Sequence, residues 1–159
     1  MDILINISIV AATFFFMEFM AWFAHKFIMH GLLWFLHEDH HVIGEDKIFF
    51  EKNDWFFVIF AVPCMILFFL GTINGLDYKF WIAVGILIYG SAYFFVHDLF
   101  IHQRVKALTR SKNPYLMAIR KAHKMHHKHR SKEDGECFGM LLVPYKYWKE
   151  ARKSIGDNA

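Results

Sequence analysis

Histidine is the residue type in this chain whose number and spacing point to chemistry. Ten of the eleven histidines repeat one pattern twice, because each half of the chain reads H-x4-H followed by H-x2-HH. The first set is His25, His30, His37, His40 and His41, and the second is His97, His102, His123, His126 and His127. Only His129 lies outside the pattern. Two matching sets are not expected from randomly placed histidines.

Metal binding is the chemistry that these sets favour. Neutral imidazole suits iron, zinc and copper, and one octahedral ion accepts at most about six ligands. Ten imidazoles therefore predict two ions that share eight to ten histidines. Because imidazole brings no negative charge, nearby acids are expected to orient the rings and offset part of the ionic charge. The candidates are Glu38, Asp39 and Asp98, each adjacent to a histidine, with a solvated surface carboxylate as the alternative interpretation.

Helix geometry constrains which rings can share an ion. Residues at i, i+3 and i+4 lie on one helix face, so each H-x2-HH triplet is predicted to converge on a common point. In H-x4-H the two rings stand roughly 140° apart on a regular α-helix. His25 and His30 therefore either serve different ions or lie where a helix unwinds, and Gly31 directly after them fits the second alternative. His97 and His102 leave the same two alternatives open.

The segments between the histidines predict a membrane protein. Of 159 residues 56% are hydrophobic, with 19 Phe and 5 Trp, which exceeds the needs of an ordinary soluble domain. Three runs, at about 3–24, 55–73 and 78–96, are long enough to cross a hydrocarbon core of roughly 30 Å. Residues 31–36 offer only half of a fourth crossing. We predict one all-α domain over residues 1–159, an integral membrane helical bundle of three to four transmembrane helices.

Individual residues refine the predicted spans. A removable signal peptide is the alternative for the first run, but no basic residue precedes it and no small-residue cleavage pattern follows it. Its single acid, Glu18, either is functional or reaches the membrane surface. Asn74 and Gly75 predict a tight hairpin between the second and third spans. Gly85 and Gly90 are small residues that allow close helix packing in the third.

Basic residues set the predicted orientation, because lysine and arginine concentrate on the cytoplasmic side. The segment from residue 25 to residue 54 holds Lys26, Lys47 and Lys52, and the segment after residue 97 holds nearly all the others. Both histidine-bearing segments are therefore predicted to face the cytoplasm, where the metal site would lie. In a bacterium the membrane would be the inner membrane.

Several features outside the histidine sets have modest interpretations. Residues 137–148 are too short to span and predict an interfacial or re-entrant segment with aromatic residues at the headgroup level. Cys64 and Cys137 lie far apart and predict neither a disulfide nor a thiolate site. Asn53 or Asp54 is expected to cap a helix beginning near Trp55. The basic stretch at 104–132 predicts a solvated, membrane-apposed face, and no recognisable module indicates nucleic-acid binding.

The predicted site favours redox chemistry on a lipid. Two irons can reduce O2 and attack an unactivated C–H bond, whereas a single zinc with three protein ligands activates water. A lipophilic substrate could enter sideways from the bilayer, and an acidic redox protein could dock on the basic face at 104–130. A histidine-rich metal transporter and a structural metal-stabilised adaptor are the non-enzyme alternatives. A transporter needs polar groups near the bilayer midplane, and residues 55–73 and 80–96 contain no charged side chain.

The histidine series resembles that of the membrane fatty acid hydroxylase and sterol desaturase superfamily, and within it the bacterial β-carotene 3-hydroxylases. The finer resemblance lies in three blocks, which are HEDHH with FEKNDWFFVIFA, then YFFVHDLFIHQR, and then AHKMHHKHRSKEDGECFGML. It covers nearly the whole chain and implies a non-haem di-iron monooxygenase of carotenoid biosynthesis. Such an enzyme hydroxylates carbon 3 of the β-ionone rings, converting β-carotene through β-cryptoxanthin to zeaxanthin.

The resemblance also implies roles for residues and partners. The ten patterned histidines would be the metal ligands of two iron ions, for which zinc can substitute in a purified sample, and O2 would be the co-substrate. Membrane lipid, a carotenoid and an electron donor such as ferredoxin with its reductase would be the partners. The oligomeric state stays open, a homo-oligomer included. His129 would be a surface or supporting residue, and Leu99 stands where the family usually has Gly. A carotenoid ketolase, a fatty acid hydroxylase and a sterol-type oxidase are alternatives within the same class.

Overall fold

The chain folds into helices joined by loops, and no β-strand occurs among the residues described. The structure is a computed structural model that describes residues 2–41, 50–104, 111–133 and 135–156. The α-helices are α1 (Ile3–Phe23), α2 (Trp34–His41), α3 (Trp55–Ile73), α4 (Tyr78–Phe94), α5 (Pro114–His126) and α6 (Tyr145–Gly156). A first π segment continues α1 over Ala24–Leu32, a second π segment continues α4 over Phe95–Ile101, and a 3-10 turn at Lys52–Asp54 leads into α3. The predicted all-α class is confirmed.

Three helical stretches are long and apolar enough to cross a membrane. They cover Ile3–Leu32, Lys52–Ile73 and Tyr78–Ile101, and no fourth such helix is found in the described part of the chain. The first and third run past their predicted ends because the π segments extend α1 and α4. Many large apolar side chains on these helices are exposed, as lipid-facing surfaces are in a membrane protein. The prediction of a helical membrane bundle holds, with three spans in the described residues.

Helix α4 is the centre of the bundle and packs against both α1 and α3. A turn joins α3 to α4 with Gly75 at φ +76° and Leu76 at φ +61°, so the predicted hairpin is confirmed. The side chain of Asp77 caps α4 by accepting a hydrogen bond of 2.9 Å from the backbone N–H of Lys79. Helices α1 and α4 run parallel and α3 runs antiparallel to them. The ends of α1 and α4 that carry H-x4-H therefore lie at one end of the bundle, beside the start of α3.

Close approach between the helices depends on particular glycines. A Cβ at Gly85 would lie 2.6 Å from Thr13 Cβ and 2.9 Å from Val10 O, so α1 and α4 touch backbone to backbone there. A Cβ at Gly71 would collide with the backbone of Phe80 across the hairpin. At Gly90, which the sequence also marked as a packing residue, a Cβ would meet nothing within 4 Å. Only Gly85 of this predicted pair brings two helices together.

The region after the third span covers the histidine end of the bundle. Asn113 caps helix α5, because its side chain accepts hydrogen bonds from the N–H groups of Tyr115 and Leu116. Ala118 and Ala122 of α5 pack against α6. Residues 135–144 connect the end of the α5 region to α6 in the chain and are called the return loop below. This loop runs back along the bundle toward α1. The predicted interfacial or re-entrant segment at 137–148 therefore divides into this loop and the first turn of α6.

We expect Gly85→Ala to destabilise the bundle and Gly90→Ala to leave it nearly unchanged. The added methyl at position 85 has no space beside Thr13, and such overpacking costs about 1–3 kcal/mol. Thermal unfolding of the purified protein in detergent would measure both variants against the native chain. Equal melting temperatures for the two variants would contradict the close packing of α1 on α4.

Candidate metal centre

The ten patterned histidines meet at one end of the bundle in two neighbouring groups. In the first cluster, the ligand atoms of five buried rings all lie within 4.8 Å of one another. The first cluster is His25, His30, His37, His41 and His126. The second cluster obeys the same limit and consists of His40, His97, His102 and His123. His127 adjoins the second cluster, with its Nε2 2.8 Å from Nε2 of His123. The structure thus brings together all ten residues that the sequence singled out.

The π segments explain how H-x4-H serves a single cluster. In a π-helix the hydrogen bonds join residues five apart, which brings residues i and i+5 closer to one face than an α-helix does. The rings of His25 and His30 have centroids 5.2 Å apart, and both belong to the first cluster. The rings of His97 and His102 are 4.5 Å apart, and both belong to the second. Of the two alternatives left open by the sequence, distortion of the helix is the one observed.

The two H-x2-HH triplets are split between the clusters. Ring nitrogens four residues apart face each other, at 3.1 Å for His37 and His41. The middle histidine points elsewhere, so Nε2 of His40 lies 3.1 Å from Nε2 of His97 in the second cluster. In the other triplet His126 joins the first cluster, whereas His123 belongs to the second and His127 adjoins it. The prediction that each triplet converges on one point is wrong, because i+3 and i+4 lie about 60° and 40° to opposite sides of i.

Backbone carbonyls orient most rings of the first cluster. Nδ1 of His25 donates to the carbonyl of Phe138 at 3.0 Å, and Nδ1 of His126 donates to the carbonyl of Glu136 at 2.8 Å. Nδ1 of His30 donates to the carbonyl of Lys132 at 3.3 Å, and Nδ1 of His41 donates to the carbonyl of His129 at 3.0 Å. The fifth ring, His37, donates to the side-chain oxygen of Asn53 at 2.7 Å. A carbonyl oxygen can only accept, so each Nδ1 must carry the proton. The lone pair of each ring is then on Nε2.

Carboxylates orient two rings of the second cluster. Nδ1 of His40 lies 2.6 Å from Glu51 Oε2, and Nδ1 of His97 lies 3.2 Å from Asp98 Oδ2. Arg104 connects both acids, since its Nε is 2.9 Å from Asp98 Oδ1 and its Nη2 is 3.5 Å from Glu51 Oε2. The same guanidinium binds Asp54 through two hydrogen bonds. One cation thus holds three carboxylates beside the second cluster.

Burial keeps the histidines outside the spans neutral. Desolvation lowers the pKa of His37 to about 3, that of His41 to about 4 and that of His126 to about 2. The pKa values of His40 and His123 lie well below the usual value because of burial first and neighbouring histidines second. Neutral imidazole is the form that binds a metal.

The facing Nε2 atoms form a donor set suited to metal ions. In the pairs His25/His37 and His30/His126, Nε2 atoms lie 3.1 and 3.2 Å apart although both protons are on Nδ1. Two lone pairs at this distance repel unless a cation lies between them. Imidazole nitrogens about 2.1 Å from one ion and at right angles would be about 3.0 Å apart. The residues present therefore fit metal ions in both clusters.

Sequence comparisons agree with this arrangement. The sequence pattern of the fatty acid hydroxylase family matches residues 10–146. The chain belongs to the fatty acid hydroxylase family. It is 41% identical to beta-carotene hydroxylase of Pantoea ananas over 87% of this chain and 78% of that protein. It is 36% identical to beta-carotene hydroxylase of a Paracoccus species, over 87% of this chain and 85% of that protein.

The chain also resembles plant proteins over part of their length. The chloroplastic beta-carotene 3-hydroxylase of Gentiana lutea is 39% identical over 80% of this chain, which corresponds to 40% of the plant protein. No solved structure matches the chain. The histidine end of the bundle falls within the region that the family pattern covers.

The acids beside the histidines do not all support the rings as predicted. Asp98 does, through His97. Asp39 accepts a hydrogen bond of 2.8 Å from the backbone N–H of Lys52 instead, and Glu38 is exposed without a hydrogen bond or ion pair to any residue the structure describes. Adjacency in sequence was a poor guide because neighbouring side chains on a helix point about 100° apart.

Several contacting residues were missed by sequence reasoning or given another role. Glu51 was not singled out, although the block that carries the family resemblance contains it. Asn53 binds His37, and Asp54 accepts a hydrogen bond of 3.0 Å from the N–H of Glu51 in the capping box of the 3-10 turn. Neither side chain caps α3, so the predicted capping role is wrong. Leu99 lies in the second π segment. Lys47, used to predict orientation, lies outside the described residues.

We expect Glu51→Ala to weaken metal binding by this hydroxylase-family protein and Glu38→Ala to leave it unchanged. Loss of the acceptor frees the ring of His40, and removal of such a partner typically costs 10–100-fold in affinity, about 1–3 kcal/mol. Titration of the metal-free protein with iron(II) or zinc against a chelator of known affinity measures the effect. Similar affinities for the two variants would show that Glu51 does not orient a ligand.

Proposed function

We propose that this protein is a β-carotene 3-hydroxylase, an O2-dependent monooxygenase that hydroxylates the β-ionone rings to give β-cryptoxanthin and then zeaxanthin. Membership of a hydroxylase family and identities of 36–41% to bacterial beta-carotene hydroxylases over most of both chains support this activity. The observation that carries the proposal is the pair of histidine clusters with their lone pairs directed inward.

The proposed centre consists of two iron ions held by the ten patterned histidines. His127 completes the second cluster, because its ring lies 4.7 Å from that of His40 and 4.8 Å from that of His102. When bound, a pair of irons supplies the redox chemistry that reduces O2 and oxidises an unactivated C–H bond. The protein binds each ion through neutral nitrogens and excludes water by burying the rings. Zinc can occupy the same nitrogens in a purified sample.

Charge compensation distinguishes the two clusters in this proposal. Glu51 and Asp98 place negative charge one hydrogen bond behind the second cluster, whereas the first is oriented by neutral oxygens. Burial raises the pKa of Glu51, and the nearby guanidinium of Arg104 opposes this shift. An ionised Glu51 can only accept a hydrogen bond, so its contact with His40 holds the proton on Nδ1 and keeps Nε2 free for the ion.

An apolar cavity supports entry of the substrate from the bilayer. It has a volume of about 590 Å³ and lies between the start of α3 and the end of α4, at the level of the histidines. Trp55, Val58 and Phe94 line its apolar part, and Glu51, the partner of His40, is part of its polar edge. A long hydrocarbon in the membrane reaches this cavity without crossing water.

We place the histidine end of the bundle on the cytoplasmic side of a bacterial inner membrane. Lys26, Lys124, Lys128 and Arg130 are exposed at that end, as basic residues near a cytoplasmic surface are. The same charges suit docking of an acidic electron donor such as ferredoxin, served by its reductase. Residues 105–110 of the predicted docking face lie outside the described part of the chain.

Expression in a host that accumulates β-carotene tests the substrate and the site together. The native chain should convert β-carotene to β-cryptoxanthin and zeaxanthin, identified by chromatography. His126→Ala should abolish conversion because it removes an Nε2 from the first cluster. His129→Ala should retain most activity, since the described contacts of His129 with His41 and His126 are made by its backbone and not by its ring.

Two results would count against the proposal. Unchanged β-carotene together with an oxygenated fatty acid or sterol would show a hydroxylase with another substrate. Equal loss of activity in the His126→Ala and His129→Ala variants, at equal protein levels, would contradict the proposal that the ring of His126 binds metal and the ring of His129 does not.

A further inference from the structure

Glu18 is a buried acid inside a membrane-spanning helix that the proposed chemistry does not use. It lies in α1, seven residues before His25 and therefore roughly 10 Å deeper along the helix axis. Its side chain is almost fully buried, with 6% of the residue exposed. Buried acids in such helices are rare and persist where other groups bind them. The sequence left its role undecided between function and an approach to the membrane surface, and the burial excludes the surface.

The carboxylate of Glu18 binds the backbone of the return loop. Oε1 accepts hydrogen bonds from three consecutive N–H groups, those of Met140 at 3.1 Å, Leu141 at 2.9 Å and Leu142 at 2.9 Å. Oε2 accepts a hydrogen bond of 2.7 Å from the hydroxyl of Tyr89 on α4. All three loop amides are thus satisfied by one side chain from the helix that also carries His25.

The return loop curls tightly around this carboxylate. A Cβ at Gly139 would lie 2.9 Å from Leu142 O and 3.4 Å from Glu18 Oε1, so only glycine fits without displacement of the backbone. Cys137 has φ +61°, a left-handed conformation that is strained for a residue with a side chain. Such a conformation persists where surrounding contacts fix the chain on both sides.

The same loop supplies oxygen acceptors to the first cluster. Glu136 O orients His126 and Phe138 O orients His25, one on each side of Cys137. A displacement of the loop therefore removes the partners of two rings at once. The loop orients no ring of the second cluster by a described hydrogen bond, since His40 and His97 are oriented by Glu51 and Asp98. It meets that side of the site through apolar packing of Met140 against Phe100 and Ile101.

We propose that Glu18 is a positioning residue for the first metal site, because its carboxylate holds the return loop whose carbonyls orient His25 and His126. The inference rests on the proposed metal centre. It assigns to Glu18 no contact with the ions or the substrate. Loss of the carboxylate should therefore impair the first site and leave the second intact.

Metal content and cysteine reactivity of purified variants test this role. Glu18→Ala should hold about one ion per chain where the native chain holds two, and adding His97→Ala, which disrupts the second cluster, should remove the remaining ion. Glu18→Gln should hold two, because its amide oxygen can accept the same three N–H groups. Tyr89→Phe should also hold two, since it removes a contact to α4 and leaves the loop amides bound.

The native cysteines report where the structure has loosened. Cys137 lies in the return loop and is half-buried, whereas Cys64 is buried between α3 and α4 with its Sγ 3.4 Å from Ala83 O. In Glu18→Ala, maleimide labelling of Cys137 should accelerate about tenfold or more through local opening of the loop, while Cys64 stays unlabelled. Glu18→Gln and Tyr89→Phe should label at the native rate.

Each other outcome has a definite meaning. Two ions and slow Cys137 labelling in Glu18→Ala would overturn the role, as would metal loss of equal size in Tyr89→Phe or Glu18→Gln. If Cys64 also reacts in Glu18→Ala, the whole bundle has opened, and a second variant is needed.

Gly139→Ala displaces the return loop while Glu18 stays in place. Loss of one ion from Gly139→Ala, with Cys64 still unlabelled, would support the role of the loop, and retention of both ions would overturn it. A native chain without two ions would instead contradict the proposed metal centre.

Discussion

The hydrogen bond from Nδ1 of a histidine ring to an oxygen is the interaction on which the centre depends. Seven of the ten patterned histidines make such a bond to a carbonyl, amide or carboxylate oxygen in the described structure. The bond fixes the tautomer and the ring plane together, so the Nε2 lone pair faces the cluster. Without it, a neutral imidazole could rotate or shift its proton and present N–H to the site. Lone pairs held about 3 Å apart are unfavourable by themselves, so the rigid surroundings and a bound cation support one another.

The fold supplies this rigidity by bringing distant segments to one end of a small bundle. Helices α1 and α4 run parallel and each continues into a π segment. The two histidines of each H-x4-H pair therefore direct their rings into the same cluster. The split triplets on α2 and α5 then connect the clusters, each contributing a ring to both. Glu18, Tyr89 and the return loop connect the membrane-embedded part of α1 to the same end. Electrostatic support differs, with carboxylates and Arg104 behind the second cluster and neutral oxygens behind the first.

Sequence patterns predicted the spans and the ten histidines because both depend on local spacing. Apolar runs of sufficient length have few alternatives to a membrane helix, and the doubled H-x4-H and H-x2-HH series is specific. The partition of rings between clusters was not predictable. Gly31 indicated that the first span unwinds, but no residue type indicates that a π-helix replaces the α-helix and changes which side chains share a face. Glu136 and Phe138 orient the rings through backbone carbonyls, which every residue type has, so their side chains could not indicate this role. Asn53 and Glu51 become recognisable as ring partners only once α2 and the start of α3 are placed side by side.

Crystals of the iron-loaded protein, measured on both sides of the iron absorption edge, would show whether each histidine cluster binds an ion. Two separate anomalous peaks per chain are expected. One peak should be surrounded by His25, His30, His37, His41 and His126, and the other by His40, His97, His102, His123 and His127. A single peak, or peaks bound chiefly by Glu51 and Asp98 with the histidine rings turned away, would contradict this expectation.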